Sequence, residues 1–87
     1  MKIGIVGTGY VGLVSGVCLA SKGHDVTCVD LRSDVVNKLN LGIPHIYEKN
    51  LPDLLKSVVE KKLFRATINL NELNLEWILL LRKASFH

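Results

Sequence analysis

The stretch Lys2-Ile3-Gly4-Ile5-Val6-Gly7-Thr8-Gly9-Tyr10-Val11-Gly12 decides the fold of this 87-residue chain. Lys2 to Val6 is a short β-branched run, apolar on both faces, as the middle of a parallel sheet requires. Gly7-Thr8-Gly9 breaks it. From Tyr10 to about Lys22 the pattern turns helical, with Leu13, Val14, Val17, Cys18 and Leu19 at apolar positions. Gly23 fits a left-handed cap at the end of that helix. Val26-Thr27-Cys28-Val29 is a second β-rich run, closed by Asp30.

Within this frame Gly7-Thr8-Gly9-Tyr10-Val11-Gly12 matches G-x-G-x-x-G in the strand–turn–helix–strand context that gives the pattern meaning. Gly7 lets the chain turn tightly off the strand. Gly9 lets the backbone approach a pyrophosphate, and Gly12 lets the helix pack closely on the sheet. The first free N–H groups of the helix, around Tyr10 and Val11, carry the positive end of its dipole toward those phosphates. Asp30 stands near the ~20-residue spacing at which a carboxylate meets ribose hydroxyls. A carboxylate there repels a 2′-phosphate and favours NAD over NADP, a preference that Arg32, two residues on, weakens. Gly16, mid-helix, is expected to serve packing rather than a ligand.

Working outward, Ser33 reads as the N-cap of a helix carrying Val35, Val36, Leu39 and Leu41, stopped by Gly42-Ile43-Pro44. A loop through His45-Ile46-Tyr47-Glu48 leads to a third helix, roughly Leu51 to Lys62, with Leu54, Leu55, Val58 and Val59 on its apolar face. Phe64 to Ile68 suits a third strand. The chain is therefore expected to be α/β, the first half of a Rossmann-type parallel sheet in the order β-α-β-α-α-β. From Asn69 to His87 the pattern is least legible: Glu76 to Leu81 fits a fourth strand or part of a helix, and Arg82 to His87 reads as a frayed end.

Composition is ordinary for a folded α/β chain, with 48% hydrophobic and 22% charged residues, which argues against disorder. The net charge of +3 is carried by scattered Lys and Arg, so nucleic-acid binding is not expected. Cys18 and Cys28 sit in apolar runs with no Cys-x-x-Cys or Cys/His cluster. They read as buried, reduced core thiols, and no metal site is expected. The apolar stretch Ile3 to Ala20 carries five glycines, too many for a signal peptide or membrane span, so a cytoplasmic protein without membrane contact is expected. His24 and His45 lack a paired carboxylate or nucleophile and read as loop or structural residues. Glu48 reads as a helix N-terminal charge or a loop residue. No catalytic residue is assigned.

Residues 1–14, then Gly23-His24-Asp25-Val26-Thr27-Cys28-Val29-Asp30, closely resemble the start of the UDP-glucose/GDP-mannose 6-dehydrogenase family. Lys38 to Glu48 resembles that family's KLNxGxxPIYE region, and Thr67-Ile68-Asn69-Leu70 its TTDL strand end. The likeness covers about residues 1–70. It implies NAD as cofactor, backbone contacts from Tyr10 and Val11 to the pyrophosphate, and Asp30 on the adenosine ribose. It also implies a two-step oxidation of a nucleotide sugar at C6, as from UDP-glucose to UDP-glucuronate, through a cysteine nucleophile. Neither Cys18 nor Cys28 matches that cysteine. Val35 replaces a common Lys or Arg, and Tyr47-Glu48-Lys49-Asn50-Leu51 replaces YEPGL.

The family's VGTP strand end is not recognisable after Trp77 to Leu81, and its catalytic domain has no counterpart. The chain is thus expected to be a single, partial NAD-binding domain over residues 1–87 with a divergent tail at 71–87, truncated and inactive alone. A nucleotide-sugar substrate is expected only for a full-length relative. The alternative is a non-enzymatic nucleotide-binding or partner-docking module, with an exposed strand edge favouring self-association.

Overall fold

Four strands assemble side by side: β1 (Lys2–Val6), β2 (Asp25–Val29), β3 (Phe64–Thr67) and β4 (Ile78–Leu81). The structure is a computed structural model that describes residues 1–73 and 78–81. All the pairings are parallel and the spatial order is β3-β2-β1-β4. Ile3 lies beside Val26 and Ile5 beside Cys28, while Val26 and Cys28 lie beside Phe64 and Ala66. β4 runs along the other side of β1, from Ile3↔Ile78 to Val6↔Leu81.

The choice left open between strand and helix therefore resolves to a strand at 78–81. Glu76, Trp77 and the segment Arg82 to His87 lie outside the described residues. The physical reason is β1 itself. Its backbone donors and acceptors need partners on both sides, and β2 supplies only one. With β4 in place the strand order reverses between β1 and β4, so the loop leaving β1 opens at a topological switch point.

Three helices connect these strands: α1 (Tyr10–Ser21), α2 (Ser33–Asn40) and α3 (Leu51–Glu60). In α1 the buried positions are Gly12, Leu13, Gly16, Val17 and Ala20, one stripe at helical spacing. A Cβ on Gly16 would lie 3.0 Å from Ile5 Cδ1, 3.2 Å from Cys28 Sγ and 3.2 Å from Phe64 Cε2. The helix therefore lies close against three strands at once, which is the packing role expected of Gly16. Cys18 falls off the stripe and is exposed, a correction to its reading as core, whereas Cys28 is buried. Helical position outweighs hydrophobicity there: Cys18 follows Val17 by a third of a turn.

All three helices end alike. Gly23 (φ 100°) and His24 donate to the carbonyls of Ala20 and Leu19, and Gly42 (φ 83°) and Ile43 donate to Leu39 and Lys38. After α3 the left-handed position is held by Lys62 (φ 62°), which donates to Val59 while Leu63 donates to Val58. Two readings of α2 need correction. Ser33 is its first residue rather than its N-cap, which is Arg32, because Arg32 N–H turns back onto Asp30 Oδ1 at 2.9 Å. Leu41 lies beyond the helix and is exposed, while Val35, Val36 and Leu39 are buried. On α3, Leu55 and Val58 are buried but Leu54 is exposed.

The outer edge of β3 is partly occupied. Asn40 donates to the Ala66 carbonyl at 2.9 Å and accepts from the Ala66 N–H at 2.8 Å, as a neighbouring strand would. The edge expected to be open is blunted at that point. Among the described residues no helix is long and apolar enough to cross a membrane.

Candidate functional site

The site is built where β1 and β2 end. Gly7 adopts φ 94°, a conformation that favours glycine, and its N–H donates to Val29 O at 2.7 Å. The chain thus turns sharply off β1 while staying joined to the end of β2. Thr8 follows, fully buried, and Gly9 forms the N-cap of α1 in extended conformation. A Cβ on Gly12 would collide with the carbonyl oxygen of Gly7. Gly12 therefore permits the helix to start directly against the turn, a closer approach than general helix–sheet packing.

The first turn of α1 carries no capping side chain and no acidic residue among the described residues. Its leading N–H groups, at the positive end of the helix dipole, are left for an external acceptor. Tyr10 and Val11, both exposed, flank this opening.

Asp30 stands one residue beyond β2. Its Oδ2 accepts from the Thr8 N–H at 3.2 Å and the Thr8 hydroxyl at 2.5 Å. Its Oδ1 accepts from Arg32 N–H at 2.9 Å and Arg32 Nε at 3.0 Å, and Arg32 Nη2 donates to Oδ2 at 3.0 Å. The Arg32 guanidinium, followed by the Thr8 donors, holds the Asp30 carboxyl well below the usual carboxylate range, against the opposing effect of burial. Asp30 is a charged acceptor at any physiological pH. Sequence reasoning missed Thr8, whose signal is a hydroxyl residue between the first two glycines.

Beside Asp30 lies a mainly apolar cleft of about 480 Å³ lined by Val6, Gly7, Val29, Asp30, Leu31, Arg32 and Leu70. Leu31 is 87% exposed and Leu70 58% exposed. Two exposed leucines lining a cleft beside a carboxylate offer apolar surface to a ligand group. A cleft of about 510 Å³ lies by the starts of the strands, at Lys2, Asp25 and Phe64. Ligands of open α/β sheets bind outside the carboxyl ends instead, which makes the first cleft the candidate.

The α2–α3 loop folds over the turn. His45 Nε2 meets the Thr8 carbonyl at 2.9 Å, so that nitrogen donates, and His45 Nδ1 is buried with no hydrogen-bond partner among the described residues. Tyr10 donates its hydroxyl to Glu48 Oε1 at 3.0 Å, and this carboxylate raises the Tyr10 phenol above its ordinary value. Glu48 thus anchors the loop to α1. Asn50, where the resembled family has glycine, takes φ 71°, a left-handed conformation that asparagine tolerates. Val35 is buried in the core and has no part in the site. Among the described residues no group of three potential metal ligands occurs.

A parallel sheet of order 3-2-1-4, a glycine turn at its switch point, an uncapped helix start and a carboxylate after β2 define a dinucleotide-binding unit of the doubly wound class. A family model described as the UDP-glucose/GDP-mannose dehydrogenase family, NAD binding domain, matches residues 1–79, and the chain belongs to this family as its NAD-binding domain. It is 46% identical over 63 residues to UDP-glucose 6-dehydrogenase TuaD of Bacillus subtilis (strain 168), a match covering 71% of this chain and 14% of that protein. It is 51% identical over 59 residues to UDP-glucose 6-dehydrogenase of Rhizobium meliloti (strain 1021), covering 68% of this chain and 14% of that one. UDP-D-ManNAc dehydrogenase from Pyrococcus horikoshii superposes with a TM-score of 0.88 at 33% identity, over 94% of this chain and 20% of the other. The chain thus spans about 14% of the length of these two curated relatives.

Proposed function

We propose that this chain binds NAD across the carboxyl ends of β1 and β2, with the pyrophosphate on Gly7, Gly9, Tyr10, Val11 and Gly12 and the adenosine ribose on Asp30. The observation that carries the reading is the uncapped start of α1 set directly on the Gly7 turn, with the Asp30 carboxylate anchored beside it. Backbone N–H groups at a helix start attract an anion, and Asp30 accepts from hydroxyls. Leu31 and Leu70, which line the cleft beside Asp30, offer apolar contact to an adenine ring.

Bound NAD supplies a hydride acceptor. The residues described here hold and orient the adenosine diphosphate half, and none is placed to act on a sugar. Oxidation of a nucleotide sugar such as UDP-glucose is the activity for which the longer relatives are named, and no catalysis is expected of residues 1–87 by themselves. Calorimetric titration with NAD tests this: binding in the millimolar range or tighter is expected in the parent and is lost in Asp30→Ala. Absence of heat in the parent overturns it. With NAD and UDP-glucose together, no NADH absorbance is expected, and its appearance would assign catalysis to this chain.

A cytoplasmic setting agrees with the nucleotide ligand and with the free thiols of Cys18 and Cys28. Self-association is the second reading. It is favoured by the exposed Leu41, Ile43 and Tyr47 on one loop, and light scattering of the purified chain tests it.

A further inference from the structure

Five donors converge on the two oxygens of Asp30, whereas an ionised carboxylate offers about four lone-pair sites. Three of the five are fixed by the backbone or by buried Thr8. The other two belong to the Arg32 guanidinium, whose side chain is 55% exposed against 9% for Asp30. A ribose diol approaching this carboxylate meets an acceptor whose outward-facing capacity is already taken. It also brings two hydroxyl donors, the number that the guanidinium contributes.

We propose that Arg32 is a displaceable latch on Asp30, released when the ribose 2′- and 3′-hydroxyls replace its two side-chain N–H groups on the carboxylate. The latch rests on the assignment of Asp30 to the adenosine ribose. Displacement is open to Arg32 because its end of the ion pair is exposed and the long side chain can swing into water. It has a consequence for specificity. A guanidinium freed beside the 2′ position is poised to meet a 2′-phosphate, so the residue that hinders NAD aids NADP. Arg32 is a specificity-determining residue by this account, acting against NAD through competition and for NADP through charge.

The test is calorimetric titration of the parent chain, Arg32→Ala and Arg32→Lys with NAD and with NADP, at low salt and at ~0.5 M KCl. Arg32→Ala is expected to bind NAD about two- to five-fold more tightly at low salt, the range of a pair whose guanidinium is exposed. The gain shrinks at high salt, where the pair is screened. NADP binding weakens in the same variant, widening the preference for NAD, and Arg32→Lys, lacking the two-pronged bond, falls between. Thermal melts confirm that each variant folds. Unchanged or weaker NAD binding by Arg32→Ala at low salt overturns the latch while leaving the Asp30 site standing. If neither the parent nor Arg32→Ala takes up NAD at millimolar concentration, the site reading fails and the latch falls with it.

Discussion

The Asp30 carboxylate takes both the N–H and the hydroxyl of Thr8, at 3.2 Å and 2.5 Å, so the residue after β2 holds the loop after β1. Asp30 titrates below its ordinary value, held there first by Arg32 and then by Thr8. A depressed carboxyl contributes stability that is fully present above the unfolded value of about 3.9. That contribution is lost as pH falls from there toward the folded value. Urea midpoints measured from pH 6 to pH 2 are expected to fall below about pH 4, with a shallower fall in Asp30→Asn. Thr8→Val, which keeps the shape and removes a buried donor to a charged acceptor, is expected to cost about 1.5–3 kcal/mol at neutral pH. Identical acid limbs for the parent and Asp30→Asn would contradict the role given to this carboxylate.

Gly12 and Gly16 are both buried on α1, yet alanine is expected to act differently at each. At Gly12 the new methyl meets the Gly7 carbonyl, part of a turn that cannot move without leaving β1. A loss of about 3 kcal/mol or more is expected, together with loss of NAD binding. At Gly16 the nearest atoms are side-chain ends, Ile5 Cδ1 at 3.0 Å foremost. Their crowding is offset by about 1 kcal/mol of helix propensity, leaving Gly16→Ala within about 2 kcal/mol of the parent. Denaturant unfolding of the two variants decides; equal losses would count against the close contact at Gly12.

Lys62 holds the left-handed position that glycine holds after α1 and α2. A side chain there costs about 1–2 kcal/mol, partly balanced by the greater freedom of glycine in the unfolded chain. Lys62→Gly is expected to raise Tm by a few degrees in a thermal melt. An unchanged or lower Tm would show that Lys62 is held by contacts that outweigh its backbone strain.

The cysteines separate by accessibility. Burial, with a smaller effect from the Asp30 charge, pushes the Cys28 thiol up to about 12, while Cys18 is exposed. Native alkylation with iodoacetamide is expected to label Cys18 and spare Cys28 until denaturant is added. Mass spectrometry of the digested chain checks this, and equal labelling would contradict the packing of β2 under α1.

How much of this was legible in the sequence follows from how local each signal is. The glycine turn, α1 and β2 lie in one stretch whose residues each favour one conformation, and the structure forms these elements where the pattern puts them. Short-range features also account for the ends of α1 and α2, because Gly23 and Gly42 carry the turn in their own backbone. What the sequence left hidden depends on partners far along the chain. Whether Ile78–Leu81 forms a strand is decided by the unfilled side of β1. Thr8 becomes part of the site through Asp30, and the role of Asn40 depends on Ala66. The exposure of Cys18 is hidden because an apolar run does not show which way a helix turns each of its residues. Ser33 lost its capping role to a backbone turn made by Asp30, a competition invisible from the helix pattern alone.

The central claim, that NAD lies on the Gly7 turn and Asp30, is tested most directly by ¹H–¹⁵N NMR of the chain titrated with NAD. Saturable shifts are predicted at the amides of Gly7, Gly9, Tyr10, Val11, Gly12 and Asp30, with Leu31 and Leu70 following. Amides at the opposite ends of the strands, around Asp25 and Phe64, stay in place. Shifts centred on those residues, or none at any millimolar concentration, would contradict the account.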